Sequence, residues 1–517
     1  MTTVLPPKSK RQKLAESKIA QAQQKIDLIP EHVPNVVVHL QAADTGTQLG
    51  GELHIPGNTT AQQLGLLVNK LLGTEDDRVP YTFSLLTSLT NVDSPIIDIA
   101  NDLWTSVLKP GHKTTEDVLT LVYTPQAVFR VRAVSRCSAA IAGHGEAILA
   151  TQFSPASSAR MVTGSGDGTA RIWDCDTETP MFTLKGHKSW VLAVGWSPDA
   201  KYIATGSMDN TVRLWDPKTG KALGDAMKGH TKWVTNIAWE PFHLQSDPAT
   251  GHRFASSSKD QTIRVWNAAL RRVEMTLSGH SASVTCVKWG GTGWIYSASQ
   301  DKTIKIWDSK VGRMLHSLNA HAHWVNHLAL STDFVLRTAY HDHTGKPPVT
   351  DEERVANAKE RYEKAATIGG ELVERLVTAS DDFTMYLWEP TKSTKPVARL
   401  LGHQKLVNHV TFSPDGRLIA SASFDNHVKL WNARDGKFIF SLRGHVAPVY
   451  QCCFSADSRL LVSSSKDTTL KVWDVKTGKL HTDLPGHQDE VFAVDWSPDG
   501  KKVSSGGKDK AVRLWKY

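Results

Sequence analysis

Hydrophobic and polar positions recur with a period near 40 residues from Gly143 to the C-terminus. In each copy a His is followed nine residues later by a large apolar residue, and a later Asp is followed six residues on by Trp. The apolar residues are Phe153, Trp196, Trp239, Trp289, Leu330, Phe412, Phe454 and Trp496. The Asp and Trp pairs are Asp167/Trp173, Asp209/Trp215, Asp260/Trp266, Asp301/Trp307, Asp382/Trp388, Asp425/Trp431, Asp467/Trp473 and Asp509/Trp515. Eight such copies predict eight small sheets of short strands.

The repeat period also predicts how the sheets are arranged. The copies begin at His144, His187, His230, His280, His321, His403, His445 and His487, and all but His321 follow Gly. Such units build four-stranded blades, so we expect an all-β, eight-bladed propeller over residues 136–517. The last copy ends at Trp515, and we therefore expect Arg136–Ile141 to supply its outer strand and to close the ring.

The Gly-His start and the Trp end of each copy resemble the WD-repeat family over about three quarters of the chain. The resemblance implies a buried, hydrogen-bonded network of His, Asp, Ser or Thr, and Trp in each blade. Seven copies have Ser two residues before the Asp. The expected network includes His187, Ser207, Asp209 and Trp215 in the second copy, and His445, Ser465, Asp467 and Trp473 in the seventh. A hydrolytic triad is the alternative, but an enzyme needs one such set and this chain has eight.

A different pattern occupies residues 34–130. Val36–Leu40 and Glu52–Ile55 predict a hairpin around the turn Asp44–Gly46. An N-cap at Asn58, Thr59 or Thr60 precedes apolar residues at helical spacing that continue to Leu72. Further strands are predicted at Tyr81–Leu85 and Val118–Tyr123. A hairpin, one helix and then more strands predict a small α+β domain of the ubiquitin-like (β-grasp) type.

Charge is distributed unevenly along the chain. Residues 1–33 have six Lys and Arg against three acids, and we predict a basic disordered tail whose cluster Pro6–Lys13 is compatible with a nuclear import signal or with plain solvation. Residues 34–125 have four bases against ten acids, although the whole chain has a net charge of +8. An acidic small domain and a basic propeller favour two partners, one of them a polyanion such as RNA; the alternative is solvated surface charge.

Several protein classes are disfavoured by composition. No apolar run approaches the ~20 residues that a membrane helix needs, and no signal-peptide core is evident, so no membrane partner is expected. Five cysteines without a CxxC pair argue against a disulfide framework or structural zinc and favour a reducing compartment. Phosphate-binding and zinc-protease motifs are lacking too. Gly164–Gly168 resembles a phosphate loop, but it is the first copy of the repeated turn, so we expect neither an enzyme nor a cofactor of the protein's own.

The combination of both domains, joined through Tyr123–Arg132 and continuing to Ala142-Gly143-His144, resembles the Notchless family over nearly the whole chain. The resemblance implies a nuclear and nucleolar assembly factor of the large (60S) ribosomal subunit. It also implies that the ubiquitin-like domain binds the metal-ion-dependent adhesion site of midasin, an AAA ATPase that remodels the pre-ribosome. On this hypothesis the protein is a monomer within a large assembly. The alternative is a signalling or ubiquitin-pathway scaffold.

An adhesion site of that kind holds Mg²⁺ with an incomplete oxygen shell, which a carboxylate of the partner completes. The resemblance places this role on Glu116, within Lys113-Thr114-Thr115-Glu116-Asp117. Asp117 is the nearest alternative, and strand alternation would let only one of the two face the partner. An ordinary solvated Glu is the other possibility.

Three tryptophans occupy repeat positions that the repeat itself does not dictate. Trp190, Trp233 and Trp324 each follow the repeat His by three residues, where the resemblance places them on one face of the ring. Lys259, Lys466 and Lys508 each precede the repeat Asp on the same face. Aromatic and basic side chains together favour a contact with RNA or a ribosomal protein. The alternative is that the tryptophans pack between blades and the lysines are merely solvated.

The fifth repeat is interrupted at residues 333–371. Thr350-Asp-Glu-Glu353 predicts a capping box, followed by a charged helix towards Ala366. We expect this insertion to project from the ring, either as a solvated spacer or as a docking arm. The shorter insertion Phe242–Gly251 has no informative pattern.

Overall fold

The computed structural model describes residues 34–43, 47–72, 80–85, 97–99, 102–110, 113–125, 130–245, 251–342, 348–368 and 370–517. The chain divides into two compact units, one up to residue 128 and one from residue 129. The predicted basic tail and the predicted turn Asp44–Gly46 lie outside the described residues. Within the described ranges, no helix combines the length and the apolar character needed to span a bilayer.

The first unit is a five-stranded mixed sheet with one long helix. Its elements are β1 Asn35–Ala42, β2 Gln48–Pro56, α1 Ala61–Leu71, β3 Tyr81–Leu85, β4 Ile97–Ile99, a π-helical turn Trp104–Leu108 and β5 Leu119–Pro125. The strand order is β2-β1-β5-β3-β4, with β1 parallel to β5 and the other pairs antiparallel. This is the strand order of ubiquitin-like domains, and the predicted β-grasp fold is confirmed.

Local sequence explains most of these boundaries. In β1 the side chains of Val36, Val38 and Leu40 are buried in alternation, as a strand with one covered face requires. The helix α1 begins after Thr60, whose hydroxyl accepts from Gln63 N at 3.3 Å while the Gln63 side chain accepts from Thr60 N at 3.0 Å. It ends one residue before the predicted Leu72. The short strand β4 and the π-helical turn were not predicted.

The second unit contains eight four-stranded antiparallel sheets, one for each repeat. The strands of the eight blades are, in order, β7 Ile148–Phe153, β8 Arg160–Ser165, β9 Thr169–Asp174 and β10 Thr179–Lys185; β11 Val191–Trp196, β12 Ile203–Ser207, β13 Thr211–Trp215 and β14 Met227–Lys228; β15 Val234–Trp239, β16 Arg253–Ser258, β17 Thr262–Asn267 and β18 Arg272–Ser278; β19 Val284–Trp289, β20 Trp294–Ser299, β21 Thr303–Asp308 and β22 Met314–Asn319; β23 Val325–Leu330, β26 Leu376–Ser380, β27 Met385–Trp388 and β28 Ala398–Leu400; β29 Val407–Phe412, β30 Leu418–Ser423, β31 Val428–Asn432 and β32 Phe438–Leu442; β33 Val449–Phe454, β34 Leu460–Ser465, β35 Leu470–Asp474 and β36 Leu480–Leu484; and β37 Val491–Trp496, β38 Val503–Gly507, β39 Ala511–Lys516 and β6 Arg136–Ala142.

The blades form a closed ring. The first strand of each blade contacts the first strand of the next, and β37 of blade 8 contacts β7 of blade 1, so the first strands surround a central channel. The strand β6, from before the first repeat, pairs antiparallel with β39 at the C-terminus, Ala142 opposite Ala511. The predicted closure therefore occurs, and the eight-bladed propeller is confirmed. Joining the two ends of the chain in one sheet removes an exposed edge.

The segment before β6 belongs to the same core. Val131 and Val134 are buried among residues of the last two blades. The Val131 amide donates to Asp457 Oδ2 at 2.8 Å, and Arg459 Nη2 donates to the Val131 carbonyl at 3.1 Å. These contacts hold the start of the propeller chain against blade 7.

The two insertions lie on one face of the ring, because each connects the first and second strands of its blade. Blade 5 contributes α2 Asp333–Thr338, α3 Asp351–Ala366 and the hairpin β24 Thr367–Ile368 with β25 Glu371–Leu372, and blade 3 contributes a 3₁₀ turn, Phe242–Leu244. The capping box at Thr350 that begins α3 is present as predicted.

The expectation that the blade 5 insertion projects from the ring is wrong. Tyr362 of α3 is 5% exposed, and its ring stacks on His243 of blade 3 with centroids 4.8 Å apart. The rings of Phe242 and Tyr340 meet edge-on at 5.0 Å. Because α3 presents apolar side chains to the blade 3 insertion, the two insertions bury each other instead of extending into solvent.

The short helix α2 lies across the central channel. Arg337 donates to Asp495 of blade 8 through Nη1 at 2.8 Å and Nη2 at 2.5 Å, and Nη2 also donates to the Phe153 carbonyl of blade 1 at 3.4 Å. A channel cavity of about 370 Å³ is lined by Phe334 and Arg337 together with first-strand residues of several blades. The insertion of blade 5 is thus bonded to the blades at which the ring closes.

Candidate partner-binding surfaces

Each blade contains a hydrogen-bonded chain of four side chains. In blade 2, Asp209 Oδ2 lies 2.9 Å from His187 Nδ1, His187 Nε2 lies 2.8 Å from the Thr205 hydroxyl, and Trp215 Nε1 donates to the same hydroxyl at 2.9 Å. The Asp–His distance is 2.7–2.9 Å in all eight blades. In blade 7 the corresponding residues are Asp467, His445, Ser463 and Trp473.

The hydroxyl that links His to Trp differs from the one expected from the sequence. It lies four residues before the Asp, at Thr205 instead of Ser207 and at Ser463 instead of Ser465. The Ser207 hydroxyl donates to the Ser189 carbonyl at 3.0 Å and accepts from the Asp209 amide at 3.1 Å. The structure gives Ser465 the same two kinds of contact. These serines therefore close the turn at the repeat Asp and lie outside the side-chain network.

A signal for the linking hydroxyl was present in the sequence. The position four residues before the Asp is a hydroxyl residue in all eight copies, namely Thr163, Thr205, Ser256, Ser297, Thr378, Ser421, Ser463 and Ser505. The position two residues before the repeat Asp, in contrast, is Gly507 in the last copy. Because blade 8 keeps its network with Gly507 at this position, the second hydroxyl is not required for the network.

The bonding pattern indicates which nitrogen of a neutral imidazole has the proton in each network. A carboxylate only accepts, so the His Nδ1 has the proton and donates it to Asp. The His Nε2 then accepts from the hydroxyl, whose oxygen accepts from the Trp indole. Burial lowers the pKa of His144 despite the opposing effect of Asp167, which keeps this imidazole neutral. Every polar atom has its partner, so these histidines are structural and have no free nitrogen for catalysis.

Acid is expected to destabilise the propeller by protonating buried histidines and hydrogen-bonded aspartates. Burial lowers the pKa of His341 from 6.5 to about 4 and that of His409 to about 3. Burial raises the pKa of Asp167 and Asp425, but hydrogen bonds outweigh it and leave both pKa values at about 2, below the ordinary 3.8. A group whose folded-state pKa is lowered stabilises the protein above its unfolded pKa, and this contribution is lost as the pH falls through the folded pKa.

We therefore expect the denaturant concentration at the midpoint of unfolding to decline as the pH falls below about 6.5, and to decline more steeply between about pH 4 and pH 2. Urea titrations followed by tryptophan fluorescence at fixed ionic strength would measure it. A midpoint that stayed constant from pH 7 to pH 3 would contradict the assignment of neutral histidines and paired carboxylates.

The loops that follow the repeat His and the turns at the repeat Asp lie on one face, here named the His–Asp face. Trp190, Trp233 and Trp324 are 48%, 41% and 45% exposed on it. Their carbonyls accept from the amide that precedes the repeat Asp of the same blade, as in Lys259 N to Trp233 O at 2.9 Å. Each Trp also directly precedes the first strand of its blade. These indoles are thus half-exposed surface residues beside the channel, and the Trp190 ring also lies against Gly166 in the turn of blade 1.

The three lysines on this face have different neighbours. Lys259 Nζ lies over the Trp233 ring, 4.3 Å from its centroid. Lys466 Nζ is 3.4 Å from Glu490, and Lys508 Nζ is 3.4 Å from Asp489. The structure therefore places one lysine against an aromatic ring and two against carboxylates of blade 8.

Three further aromatic residues on the His–Asp face were missed from the sequence. Phe424, Tyr450 and Phe492 belong to blades 6, 7 and 8, and Tyr450 meets Phe424 at 5.7 Å and Phe492 at 5.3 Å between ring centroids. The Tyr450 hydroxyl donates to Glu490 at 2.7 Å. They occupy repeat positions other than that of the three tryptophans, and only the ring arrangement brings them together.

In the first unit, Glu116 lies in a turn directly before β5, and its side chain is exposed. The neighbouring Asp117 accepts from Thr114 N at 2.8 Å and from Thr114 Oγ1 at 2.9 Å, and these bonds lower its pKa. Among the residues that the structure describes, Glu116 has no hydrogen bond or ion pair. Glu116 and Asp117 differ in their bonding because the Asp117 carboxylate closes the turn. Strand alternation does not distinguish them, since β5 begins only at Leu119.

Comparison with known proteins agrees with this architecture. A family profile described as "WD domain, G-beta repeat" matches residues 135–174, 178–216, 222–267, 271–308, 394–432, 436–474 and 478–516, and one described as "NLE (NUC135) domain" matches residues 36–91. The chain is 59% identical over 442 residues to Ribosome assembly protein 4 of Saccharomyces cerevisiae, with 85% of each chain covered. It is 45% identical over 403 residues to Protein Notchless of Drosophila melanogaster, with 77% of this chain and 79% of that one covered.

The chain belongs to the Notchless family. The Notchless protein homolog of Arabidopsis thaliana is 52% identical over 398 residues, which cover 77% of this chain and 80% of that one. Among solved structures, the computationally designed protein Ika8 matches 74% of this chain and 100% of its own length with a TM-score of 0.57 and 26% identity. The seven matched repeat segments leave out the interrupted fifth repeat, which the structure nevertheless shows as a complete blade.

In this Notchless-family chain the exposed side chains form candidate binding surfaces. Within the described ranges, no group of three or more His, Cys, Asp and Glu side chains has an arrangement that could hold a metal ion. Exposed side chains in the described parts offer two candidate surfaces, the His–Asp face of the propeller and the turn at Glu116.

Proposed function

We propose that the protein is a non-enzymatic assembly factor of the large (60S) ribosomal subunit, acting in the nucleus and nucleolus. Its propeller docks on the pre-ribosomal particle, and its ubiquitin-like domain binds the metal-ion-dependent adhesion site of midasin. The name of the yeast relative, Ribosome assembly protein 4, supports the ribosomal role. The free, exposed carboxylate of Glu116 is the observation that supports the contact with the adhesion site.

The chemistry of such a contact fits Glu116 better than Asp117. Mg²⁺ prefers oxygen ligands in a near-octahedral shell and exchanges a bound water for a partner's carboxylate. Glu116 can offer both oxygens without breaking any contact, whereas Asp117 would have to release Thr114 and open the turn. On this proposal the domain supplies one ligand, Glu116, and Mg²⁺ would be shared with the partner instead of being a cofactor of this chain alone.

We assign docking on the pre-ribosome to the His–Asp face, with Trp190, Trp233 and Trp324 and with Lys259, Lys466 and Lys508. The exposed indoles supply apolar contact area and the lysines supply positive charge, a combination suited to an RNA or ribosomal-protein surface. Force applied to one unit of the chain would then reach the particle through the other, without any chemical step on this protein.

Replacement of Glu116 by Gln is expected to weaken binding to a midasin adhesion-site domain by at least about 100-fold, because a neutral amide is a poor substitute for a carboxylate on Mg²⁺. Binding should be measured by calorimetry with the full chain, with and without Mg²⁺. Glu52→Gln is the matched control, since Glu52 is an exposed carboxylate of the same unit with 65% side-chain exposure. It should bind as the unchanged chain does.

The outcomes separate the two halves of the proposal. Equal binding by the Glu116→Gln and Glu52→Gln variants would remove Glu116 from the contact. Binding that does not depend on Mg²⁺ would exclude an adhesion-site mode altogether. Failure of the chain to co-sediment with large-subunit precursors in sucrose gradients would overturn the ribosomal role itself.

A further inference from the structure

Charged residues distinguish two sectors of the His–Asp face, each of three consecutive blades. In blades 7, 8 and 1 each lysine of the turns faces an acid: Lys466 faces Glu490 at 3.4 Å, Lys508 faces Asp489 at 3.4 Å, and Lys510 faces Glu146 at 3.6 Å. These pairs connect neighbouring blades or lie within one. The positive charge of this sector is therefore largely compensated within the protein.

Blades 2, 3 and 4 form the other sector, which we name the cationic sector. Its loops and turns contribute Lys188, Lys232, Lys259 and Lys302, all exposed. The acids in these loops and turns are the repeat residues Asp209, Asp260 and Asp301, whose carboxylates are already bonded to histidines. Within the described part of the chain, Lys188, Lys232 and Lys302 form no ion pair. Among the described residues, lysines without an ion pair are thus most frequent on these three consecutive blades, and the corresponding loop of blade 6 has one more, Lys405.

The cationic sector also contains two of the three exposed tryptophans. Trp190 and Trp233 occupy the same position in consecutive blades, each beside the channel. Lys188 and Lys232 precede them by two residues and one residue, and the Lys259 ammonium lies over the Trp233 ring at 4.3 Å. Trp324 has a different environment. Asp381 lies in the turn of the same blade, and its carboxylate is 3.5 Å from Nδ1 of His323, the residue directly before Trp324.

From this arrangement we infer that the cationic sector binds single-stranded RNA. Exposed ring faces stack on unpaired bases, and lysines between them neutralise phosphates, which is the general mode by which proteins bind single strands. Duplex RNA hides its base faces and would leave both indoles unused. The inference rests on the proposed function only for the source of the RNA, the pre-ribosomal particle.

The test uses the purified full chain and a fluorescein-labelled single-stranded RNA of mixed sequence, 12 nucleotides long, followed by anisotropy from 50 to 300 mM KCl. A triple variant, Lys188→Gln, Lys232→Gln and Lys302→Gln, is expected to bind at least about 10-fold more weakly at 100 mM salt. Its plot of log affinity against log salt should be shallower by about 2, since each phosphate contact on a single strand contributes about 0.7.

Two further variants distinguish stacking and position from bulk charge. Trp190→Ala with Trp233→Ala should weaken binding by at least about 30-fold and leave the salt slope unchanged. Lys218→Gln, Lys221→Gln and Lys310→Gln remove the same charge from exposed loops on the opposite face. This control triple should alter affinity by less than about 3-fold.

Three results would overturn the inference: equal weakening by the control triple, equally tight binding of a blunt RNA duplex, or displacement of the RNA by a glutamate-rich peptide at equal charge concentration. The last result would assign the sector to an acidic protein. The proposed function has a separate readout. A chain that binds the oligonucleotide as described but does not co-sediment with large-subunit precursors would overturn only the ribosomal role.

Discussion

Replacement of Arg337 by Met is expected to lower the free energy of unfolding of the propeller by about 3–5 kcal/mol, the usual result of leaving a buried charge without its partner. Asp495 has a side chain only 7% exposed and is paired with the Arg337 guanidinium through two hydrogen bonds. The Phe153 amide also donates to Asp495 at 2.7 Å. One substitution in α2 therefore affects the contact between blades 8 and 1, where the ring closes.

Guanidinium unfolding followed by tryptophan fluorescence would measure the change, because all tryptophans except Trp104 lie in the propeller. The double variant Arg337→Met, Asp495→Asn should recover part of the loss, since Asn can still accept from the Phe153 amide without an isolated charge. Arg354→Met is a matched control on α3, where the partner Asp351 is 54% exposed, and should cost less than about 1 kcal/mol. An Arg337 variant no less stable than the Arg354 variant would show that α2 does not brace the ring.

Replacement of Thr205 by Val is expected to destabilise the propeller by about 2–4 kcal/mol, because two buried groups lose their partner at once. The Trp215 indole N–H and the His187 Nε2 both bond to the Thr205 hydroxyl. Val has nearly the shape of Thr, so the change removes the polar contact without opening a large cavity. The same unfolding titration would measure it.

Two variants in the same blade test which hydroxyl is required. Thr205→Ser keeps the hydroxyl and reproduces the residue of blades 3, 4, 6, 7 and 8 at this position, so it should cost less than about 1 kcal/mol. Ser207→Ala removes the two contacts of the turn and should cost about 1 kcal/mol. A larger loss from Ser207→Ala than from Thr205→Val would return the linking role to the residue expected from the sequence.

Most of the fold could be predicted because the same residue pattern, and therefore the same local structure, occurs in eight copies. The six-residue spacing of Asp167 and Trp173, found again in the other seven copies, identified the units, and a C-terminus at the end of the last unit implied that Arg136–Ile141 closes the ring. The ubiquitin-like domain was predicted from one hairpin and one amphipathic helix. Its strand β4 was missed because three residues, Ile97–Ile99, are too short to show a period.

The candidate sites were predicted less completely, for physical reasons. The position of the exposed tryptophans follows from the repeat, but the acids that face Lys466 and Lys508 come from other loops and are not apparent from spacing. For Glu116 the family resemblance supplied the residue. The structure then supplied a reason, namely that Asp117 is held by Thr114.

The sequence by itself determined the number of blades, the His, Asp and Trp positions of the buried networks and the way the ring closes, because these depend on hydrogen bonds and packing within one repeat or between adjacent repeats. Only the tertiary structure decided that the blade 5 insertion folds back under the ring, that Arg337 reaches Asp495, and that lysines without an ion pair are most frequent on blades 2 to 4. Those features depend on residues from distant parts of the chain meeting in space. The repeat period and secondary-structure propensity contain no information about such long-range contacts, since charge pairing and burial are set by distance in the folded chain.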